Sequence, residues 1–444
     1  MGTTTNAVQV VRAEAEILSP DSVTFPSVTE RLAAAKIVLL GEATHGTHEF
    51  YRVRAAITQE LIERHGFAAV VVEADWPDAY RVNRWVRGTG ADRTPDEALA
   101  GFERFPTWMW RNHVVAEFIA WLREHNARLE PAGRAGFYGM DLYSLYRSME
   151  AVLGYLDKVD PDAARRARNR YACLEHFGTD PQSYGYATTF GLSETCEQQV
   201  VAQLVELRRR AAEYASRDGR IAEDDYFFSE QNARVVLNAE RYYRTMFSGR
   251  AESWNLRDTH MVETLVALDA HLGRDGRAVK RVGWAHNSHL GDARATHMGR
   301  LGELNVGQLV RERYGHDALS LGFTTHVGTV TAASDWDGPS ERKRVRPSLE
   351  GSYERLFHQS GVGNFLLALD KDPVRDALIG ERLERAIGVI YLPETERASH
   401  YFGAALSRQF DFVIHFDETT ALEPLERWAA DESPEPAETF PTGM

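Results

Sequence analysis

The chain has 444 residues, of which 43% are hydrophobic and 26% are charged, and its formal net charge is −14. This composition is typical of a globular protein, and no run reaches the roughly 18 consecutive apolar residues of a membrane helix. The negative charge argues against nucleic acid and anionic membranes as partners, because both attract clustered basic residues. The sequence does not indicate an oligomeric state.

The two ends of the chain predict unstructured segments around a single domain of residues 25–430. Residues 1–11 lack the basic segment and the long apolar core of a secretory signal, and residues 1–24 are predicted to be a disordered or extended lead-in. Residues 431–444 are rich in Pro and Glu and predict a disordered tail. Cys173 and Cys196 are too few for a disulfide framework, so we expect buried free thiols and a cytoplasmic protein.

Short apolar runs predict the strands of an α/β fold. They lie at residues 36–41, 68–73, 136–140, 280–285, 320–325, 365–368, 387–392 and 412–416. Helical patterns, such as 49–64 and 106–124, separate most of them. This alternation predicts a mixed, largely parallel central sheet covered by helices on both faces.

The strand patterns vanish between about residues 144 and 277. Long amphipathic patterns replace them at 194–217, 225–245 and 252–272. Because further strands follow, this segment is predicted to be a large helical insertion within the same domain. We expect it to form one side of an active-site cleft against the sheet.

The first predicted strand ends in Gly-Glu-Ala-Thr-His-Gly, which places Glu42 and His45 at its carboxyl end. Open α/β sheets bind their ligands at that edge. A carboxylate three residues from an imidazole can orient the ring and raise its basicity, which suits a general base. The alternative is that the pair merely caps a helix.

The second strand ends in Glu73, and Asp75 follows. If the first two strands were parallel neighbours, Glu73 would lie close to Glu42. Two carboxylates in one pocket do not both ionise cheaply, so either one pKa rises or cations hold both. Arg52 and Arg54 are candidate cations, although both could be solvated arginines on a helix face.

The strand at 280–285 runs directly into His286 and His289. Two imidazoles three residues apart after a strand favour function over a purely structural role. Asp141 after its strand, and Arg257 within the 255–261 stretch, are further candidates. Trp254, Tyr184 and Tyr242 on the insertion are candidate pocket residues.

The motifs of several other enzyme classes are missing from the sequence. There is no GxSxG elbow, phosphate-binding loop, convincing dinucleotide fingerprint or HExxH motif. Direct attack by an activated water is therefore more economical than a covalent intermediate.

Four segments together resemble the erythromycin esterase family. They are Gly-Glu-Ala-Thr-His-Gly, Val-Val-Val-Glu-Ala-Asp-Trp, Trp-Ala-His-Asn-Ser-His-Leu and Phe-Pro-Thr-Trp-Met-Trp-Arg-Asn. The resemblance covers about residues 25–420. It implies a small-molecule ester or lactone substrate and a sheet enclosed by helices.

The resemblance also implies a catalytic set: His45, Glu42, Glu73, His286, His289 and Arg54. The first histidine would be the general base that activates water, and the two glutamates would orient it. The later histidines would position the substrate or the developing oxyanion, and the arginine would match a functional arginine of the family. We expect the substrate contacts to be His48, Asp75, Asp141, Trp254 and Arg257.

The resemblance implies no cofactor, but His48 adds an imidazole that leaves a divalent metal site open. Its ligands would come from His45, His48, Glu42, Glu73, His286 and His289. Such an ion could lower the pKa of bound water to about 7.

We expect a hydrolase that acts on a macrolide-type lactone or another secondary-metabolite ester, in antibiotic resistance or secondary metabolism. One alternative is a tailoring enzyme that runs cyclisation or acyl transfer in the same pocket. A metal-dependent hydrolase and a catalytically silent binding protein are the others.

Overall fold

The computed structural model describes residues 2–19, 22, 24–177, 180–215, 220–247, 249–274, 276 and 278–428. The predicted tail at 431–444 lies outside the described residues. The strands are β1 (Glu16–Ile17), β2 (Ile37–Leu40), β3 (Phe67–Asp75), β4 (Gly136–Asp141), β5 (Lys280–Trp284), β6 (Ala318–Ala332), β7 (Glu341–Val345), β8 (Phe365–Ala368), β9 (Arg382–Arg385), β10 (Tyr401–Ala404) and β11 (Phe412–Thr419).

The helices of the first half are α1 (Gly2–Glu14), α2 (Pro26–Leu32), α3 (His48–His65), α4 (Trp76–Val86), α5 (Pro95–Leu99), α6 (His113–Ala127), α7 (Leu145–Val159), α8 (Pro161–Glu175), α9 (Pro181–Thr189), α10 (Glu197–Arg209) and α11 (Ala211–Ala215). Those of the second half are α12 (Arg220–Thr245), α13 (Arg250–Leu272), α14 (Asn287–Leu290), α15 (His297–Arg300), α16 (Val306–Tyr314), α17 (Tyr353–Ser360), α18 (Asp372–Leu378), α19 (Glu396–Ser399) and α20 (Leu406–Gln409). Within the described ranges, no helix combines the length and apolarity that a membrane crossing requires.

The central sheet is mixed and largely parallel, as the sequence predicted. Its order is β1-β8-β11-β6-β2-β5-β3-β4, with β7 paired to β6. The strands from β11 to β4 pair in parallel, whereas β1, β7 and β8 join antiparallel. The condition that would bring Glu73 beside Glu42 is not met, because β5 lies between β2 and β3.

Helices cover both faces of the sheet, which confirms the predicted layers. Along β2, Val38 and Leu40 join a core with α3 and α6, whereas Ile37 and Leu39 join a second core with α13 and α16. Successive side chains of a strand point to opposite faces. A strand with both faces buried is therefore apolar throughout, which is why a continuous run predicted it.

The insertion has its own apolar core, formed mainly by α7, α8, α10 and α12. The helix predicted over 194–217 is divided, since α10 ends at Arg209 and α11 follows. The helix predicted over 106–124 begins later, at His113. There the side chain of Asn112 accepts a hydrogen bond from the Val115 N–H at 2.9 Å and caps α6.

The strand predicted at 387–392 is wrong. Ile387 and Ile390 make only isolated bridges, to Thr44 and Ala333, because this segment runs beside loops at the carboxyl edge of the sheet. A separate antiparallel pair, β9 and β10, forms nearby. The pattern missed β9 because its sequence, Arg-Leu-Glu-Arg, is largely charged.

The predicted unstructured lead-in is also corrected, since residues 2–14 form α1. This helix packs against α17 and α18. Ala7 and Val11, one helical turn apart, are buried in that contact. Their spacing was the available signal, and tertiary packing of this small apolar face is what stabilises the helix.

The expectation of free thiols is wrong, because Cys173 and Cys196 form a disulfide with a Cα–Cα distance of 6.1 Å. The bridge joins α8 to the residue that precedes α10. The 23-residue separation gave no hint of the pairing. Disulfides are more typical of oxidising compartments than of the cytoplasm.

Candidate active site

The candidate site lies at the carboxyl ends of the parallel strands, where a cavity of about 360 Å³ opens between the sheet and the insertion. Three neighbouring strands supply it: Glu42 follows β2, His286 follows β5 and Glu73 lies near the end of β3. The cavity brings together most of the predicted residues, namely His45, Glu73, Asp75, Asp141, Trp254, Arg257, His286 and His289.

Glu42 orients His45, and Arg54 in turn orients Glu42. Nδ1 of His45 lies 2.8 Å from one carboxylate oxygen of Glu42, and Arg54 Nη2 donates to the other at 2.6 Å. A carboxylate that ion-pairs with arginine is ionised and only accepts hydrogen bonds, so the imidazole proton is on Nδ1. In the neutral ring, the lone pair is then on Nε2 of His45.

Glu73 is also held by cations. One of its oxygens accepts from Arg257 Nη2 at 2.8 Å, and the other accepts from the backbone N–H of His286 at 2.9 Å. Burial alone would raise its pKa, but nearby His289 and His45 bring the pKa of Glu73 well below its usual range. The sequence left open whether one glutamate has a raised pKa or both are paired with cations. Both are paired, Glu42 with Arg54 and Glu73 with Arg257.

His289 lies between two buried carboxylates. Its Nδ1 is 2.9 Å from Asp258, and its Nε2 is 3.3 Å from Glu73. Burial alone would lower the pKa of His289, but these carboxylates raise it to about 9. Arg257 Nη1 lies 3.2 Å from the same Nε2, a contact that suits a neutral ring, yet two flanking anions outweigh it. The two carboxylates thus favour the protonated form of His289.

His286 is neutral instead. The backbone N–H of Ser288 donates to its Nδ1 at 3.2 Å, so the ring proton is on Nε2. Burial and the neighbouring His45 lower the pKa of His286 to about 3. The rings of His45 and His286 lie with their centroids 4.8 Å apart. The site thus combines a ring with a free lone pair, a neutral N–H donor and a fixed cation.

The insertion supplies the opposite wall through the first turns of α13. Arg257 donates to both oxygens of Asp141, at 3.0 and 2.7 Å, and its guanidinium lies 4.8 Å from the ring centroid of Tyr143. Trp254 stacks on His289 at 4.5 Å with nearly parallel rings. Arg257 therefore links α13 to the end of β4 through an ion pair.

Sequence reasoning assigned no specific role to three residues in or beside the cavity lining, namely Asp258, Arg104 and Asp78. Asp258 fits the i, i+4 spacing from Trp254, which was the available signal. Arg104 donates to Asp75 at 2.9 Å. Asp78 lines the cavity as well, and burial together with Asp75 raises the pKa of Asp78 to about 7.

Some predicted residues do not reach the cavity. The described residues that line it do not include His48, which begins α3 and whose backbone N–H donates to Thr420 O at 2.9 Å. Arg52 donates to the Ser22 carbonyl rather than to the site. Tyr184 lies in the core of the insertion, and Tyr242 contacts Tyr143 at 3.2 Å between the hydroxyls.

The six candidate metal ligands do not fit a divalent ion. Both oxygens of Glu42 and both of Glu73 already accept hydrogen bonds, and Arg257 supplies a positive charge beside Glu73. His289 is occupied at Nδ1 by Asp258. In the part of the chain that the structure describes, no group of three or more such side chains has a metal-binding arrangement.

A carboxylate-oriented imidazole and a cluster of buried charges thus meet in a cavity at the carboxyl edge of a largely parallel sheet, which is where α/β enzymes place their active sites. The erythromycin esterase family model matches residues 62–419, and the chain therefore belongs to the erythromycin esterase family of hydrolases. Glu73, His286 and His289 lie within the matched residues, whereas Glu42 and His45 precede them.

Known proteins are similar along most of the chain. Erythromycin esterase type II of Escherichia coli is 23% identical over 416 residues, which cover 90% of this chain and 93% of that protein. The crystal structure of a succinoglycan biosynthesis protein has a TM-score of 0.74 at 19% identity and covers 96% of this chain and 100% of its own. A mutant of the erythromycin esterase EreC in its open conformation has a TM-score of 0.66 at 18% identity, covering 91% and 95%.

Proposed function

We propose that this enzyme hydrolyses an ester or lactone with a water molecule that His45 activates. The observation that carries the proposal is the hydrogen bond of 2.8 Å between His45 Nδ1 and Glu42. It fixes the tautomer and turns the lone pair of Nε2 into a general base at the cavity. Arg54 holds Glu42 in place and does not itself line the cavity.

In the first step, His45 Nε2 takes a proton from water while the water oxygen attacks the ester carbonyl. The resulting tetrahedral oxyanion needs donors that are fixed before the reaction. The Nε2–H of His286, which has no hydrogen-bond partner among the residues that the structure describes, supplies such a donor. His289 has both ring nitrogens on carboxylates and stabilises the oxyanion through its charge alone. Collapse of the intermediate breaks the bond to the alcohol oxygen, which takes the proton back from His45.

The substrate is a small molecule, and a macrolide-type lactone is the first candidate because the relatives carry erythromycin esterase in their names. The cavity of about 360 Å³ lies at the lower end of the range for drug-sized ligands, about 300–1,000 Å³. Another secondary-metabolite ester with the same reacting group fits the proposal equally.

The test is turnover of macrolactones and simple aryl esters by the wild type and by His45→Asn, with product masses recorded. We expect products heavier than the lactone by one water and a loss of about 10²–10⁴-fold in kcat for the variant. Exhaustive chelation should leave turnover unchanged. Full activity of the variant would overturn the role of His45, and activity restored only by a divalent ion would favour a metal-dependent hydrolase.

The second candidate is acyl transfer or cyclisation in the same pocket, and the lining of the cavity favours it. Many of its walls are aromatic: Phe102, Phe105, Trp110, Tyr143, Trp254, Trp336, Tyr401 and Phe402. Apolar walls exclude water, so His45 would then deprotonate a hydroxyl of the substrate. Ester or cyclic products in place of water adducts would identify this reaction.

A further inference from the structure

Trp336 differs from the other large aromatic residues of the cavity in its exposure. It lines the cavity, yet 57% of its surface remains exposed, whereas Trp108 and Trp110 nearby are buried. An exposed indole that belongs to a cavity lies at its mouth. At that position most of the apolar surface of the indole is open to a molecule that enters the cavity.

The turn that carries Trp336 is held in place. It lies between β6 and β7, where Gly338 N–H donates to Asp335 O at 3.1 Å and Asp337 has a φ of 61°. A positive φ is uncommon for a residue other than glycine, and such conformations persist where the surroundings impose them. The indole is therefore presented by a defined turn rather than by a loose loop.

The base of this turn is joined to the cavity wall. Ala333 N–H donates to Val389 O at 2.9 Å, and Tyr391 N–H donates to Ala333 O at 3.1 Å. Val389 itself lines the cavity. The position of Trp336 is thereby fixed relative to the polar end of the cavity.

Phe105 lies beside the indole, with the ring centroids 5.1 Å apart and the planes at 59°. Phe105 is itself 9% exposed and packs on Trp108. This neighbour fixes one side of the indole while most of its surface stays open. The two rings form an aromatic rim, Phe105 and Trp336, at the edge of the cavity.

We propose that Trp336 is a specificity-determining residue that stacks on a ring of the substrate lying beyond the reacting ester. This inference rests on the proposed function. The charged residues of the site receive the ester, and about 360 Å³ does not enclose a large substrate, so its remaining part reaches the rim. The chemistry selected is a ring with an apolar face, either an aromatic ring or a saturated ring with axial C–H groups.

The experiment compares two esters that share the same acyl group, one with a linear alcohol and one whose alcohol ends in a ring. Trp336→Ala should raise KM for the ring-bearing ester about five- to tenfold more than KM for the linear ester, which is the value of one aromatic contact. Trp336→Phe should restore most of the affinity. Phe190→Ala is the matched control, because Phe190 is 59% exposed but lies on the insertion away from the cavity.

Binding of a macrolactone to the His45→Asn protein, measured by calorimetry, separates this inference from the proposed function. If no ester is hydrolysed but Trp336→Ala still weakens macrolactone binding about five- to tenfold, the role of Trp336 is supported and the proposed hydrolysis is overturned. Equal effects of Trp336→Ala on both esters, or no effect on either, would overturn the role of Trp336. An equal loss in the Phe190→Ala control would overturn it as well.

Discussion

The sheet and the insertion contribute to the site in different ways. The sheet supplies its histidines directly after strands, within short continuous motifs. The insertion supplies Arg257 and Asp258 from one long helix, more than a hundred residues along the chain from Asp141. Strand ends place reactive groups, whereas the helix fixes their charge states. The following predictions test that division, from the largest expected effect to the smallest.

Arg257→Met should cost the most, because it leaves Glu73 and Asp141 as buried charges without their partner. We expect a loss of about 3–5 kcal/mol in the free energy of unfolding and a large fall in kcat/KM. Denaturant unfolding and ester kinetics measure both. Arg168→Met, also on the insertion but away from the cavity, removes an exposed ion pair with Asp157 and should leave the free energy of unfolding nearly unchanged, because water screens such pairs. Equal losses in the two variants would contradict the assigned role.

Removing the disulfide should weaken the insertion and leave the sheet intact. Cys173→Ser with Cys196→Ser lengthens the free loops of the unfolded chain, at a cost of about 3 kcal/mol. Hydrogen exchange should become faster in α8, α9 and α10 and stay unchanged in β2 and β5. A reducing agent should reproduce the effect in the wild type and do nothing to the double variant. Faster exchange in the sheet would mean that the two regions are not separable.

Asp258→Asn should move the alkaline limit of activity. The folded pKa of His289, about 9, lies above its ordinary value of 6.5. The stabilising charge is therefore fully present below pH 6.5 and is lost as the pH rises through about 9. Without Asp258 that loss should occur about 1–2 pH units lower. The pH profile of kcat/KM measures the shift, and an unchanged alkaline limb would show that His289 does not act as a cation.

Glu384→Gln tests a buried carboxyl that belongs to neither wall of the cavity. Burial and the neighbouring Glu354 raise the pKa of Glu384 from 4.5 to about 8. The proton's contribution to stability is complete below pH 4.5 and is lost between pH 4.5 and 8. The variant should be about 1–2 kcal/mol more stable than the wild type at pH 8.5 and no more stable at pH 4. Tm values at the two pH values decide, and parallel changes would contradict the account.

The strand ends were predictable because each motif is local. A buried apolar run followed by Glu42 and His45, or by His286 and His289, needs no knowledge of the partner strands. The neighbour of a strand is a long-range property, and so the sequence did not reveal that β5 separates β2 from β3. The same reason explains the missed disulfide.

The role of Asp258 could not be predicted for a related reason. Its effect on His289 depends on α13 crossing the edge of the sheet, which is a matter of packing. Helical periodicity identified α13 but not which of its polar residues face the cavity. His48 shows the opposite error. It is close to His45 in sequence, but it begins α3 and does not line the cavity.

The position of β5 has a consequence for synthesis on the ribosome. β2 and β3 are complete by Asp75, but the strand that lies between them begins only at Lys280. That interval of about 200 residues takes about 10–40 s to translate. For this time the edges of β2 and β3 that will face β5 have no partner, and such edges attract other chains. We expect recovery of native protein to improve when translation is fast relative to aggregation or when a chaperone shields the first 280 residues.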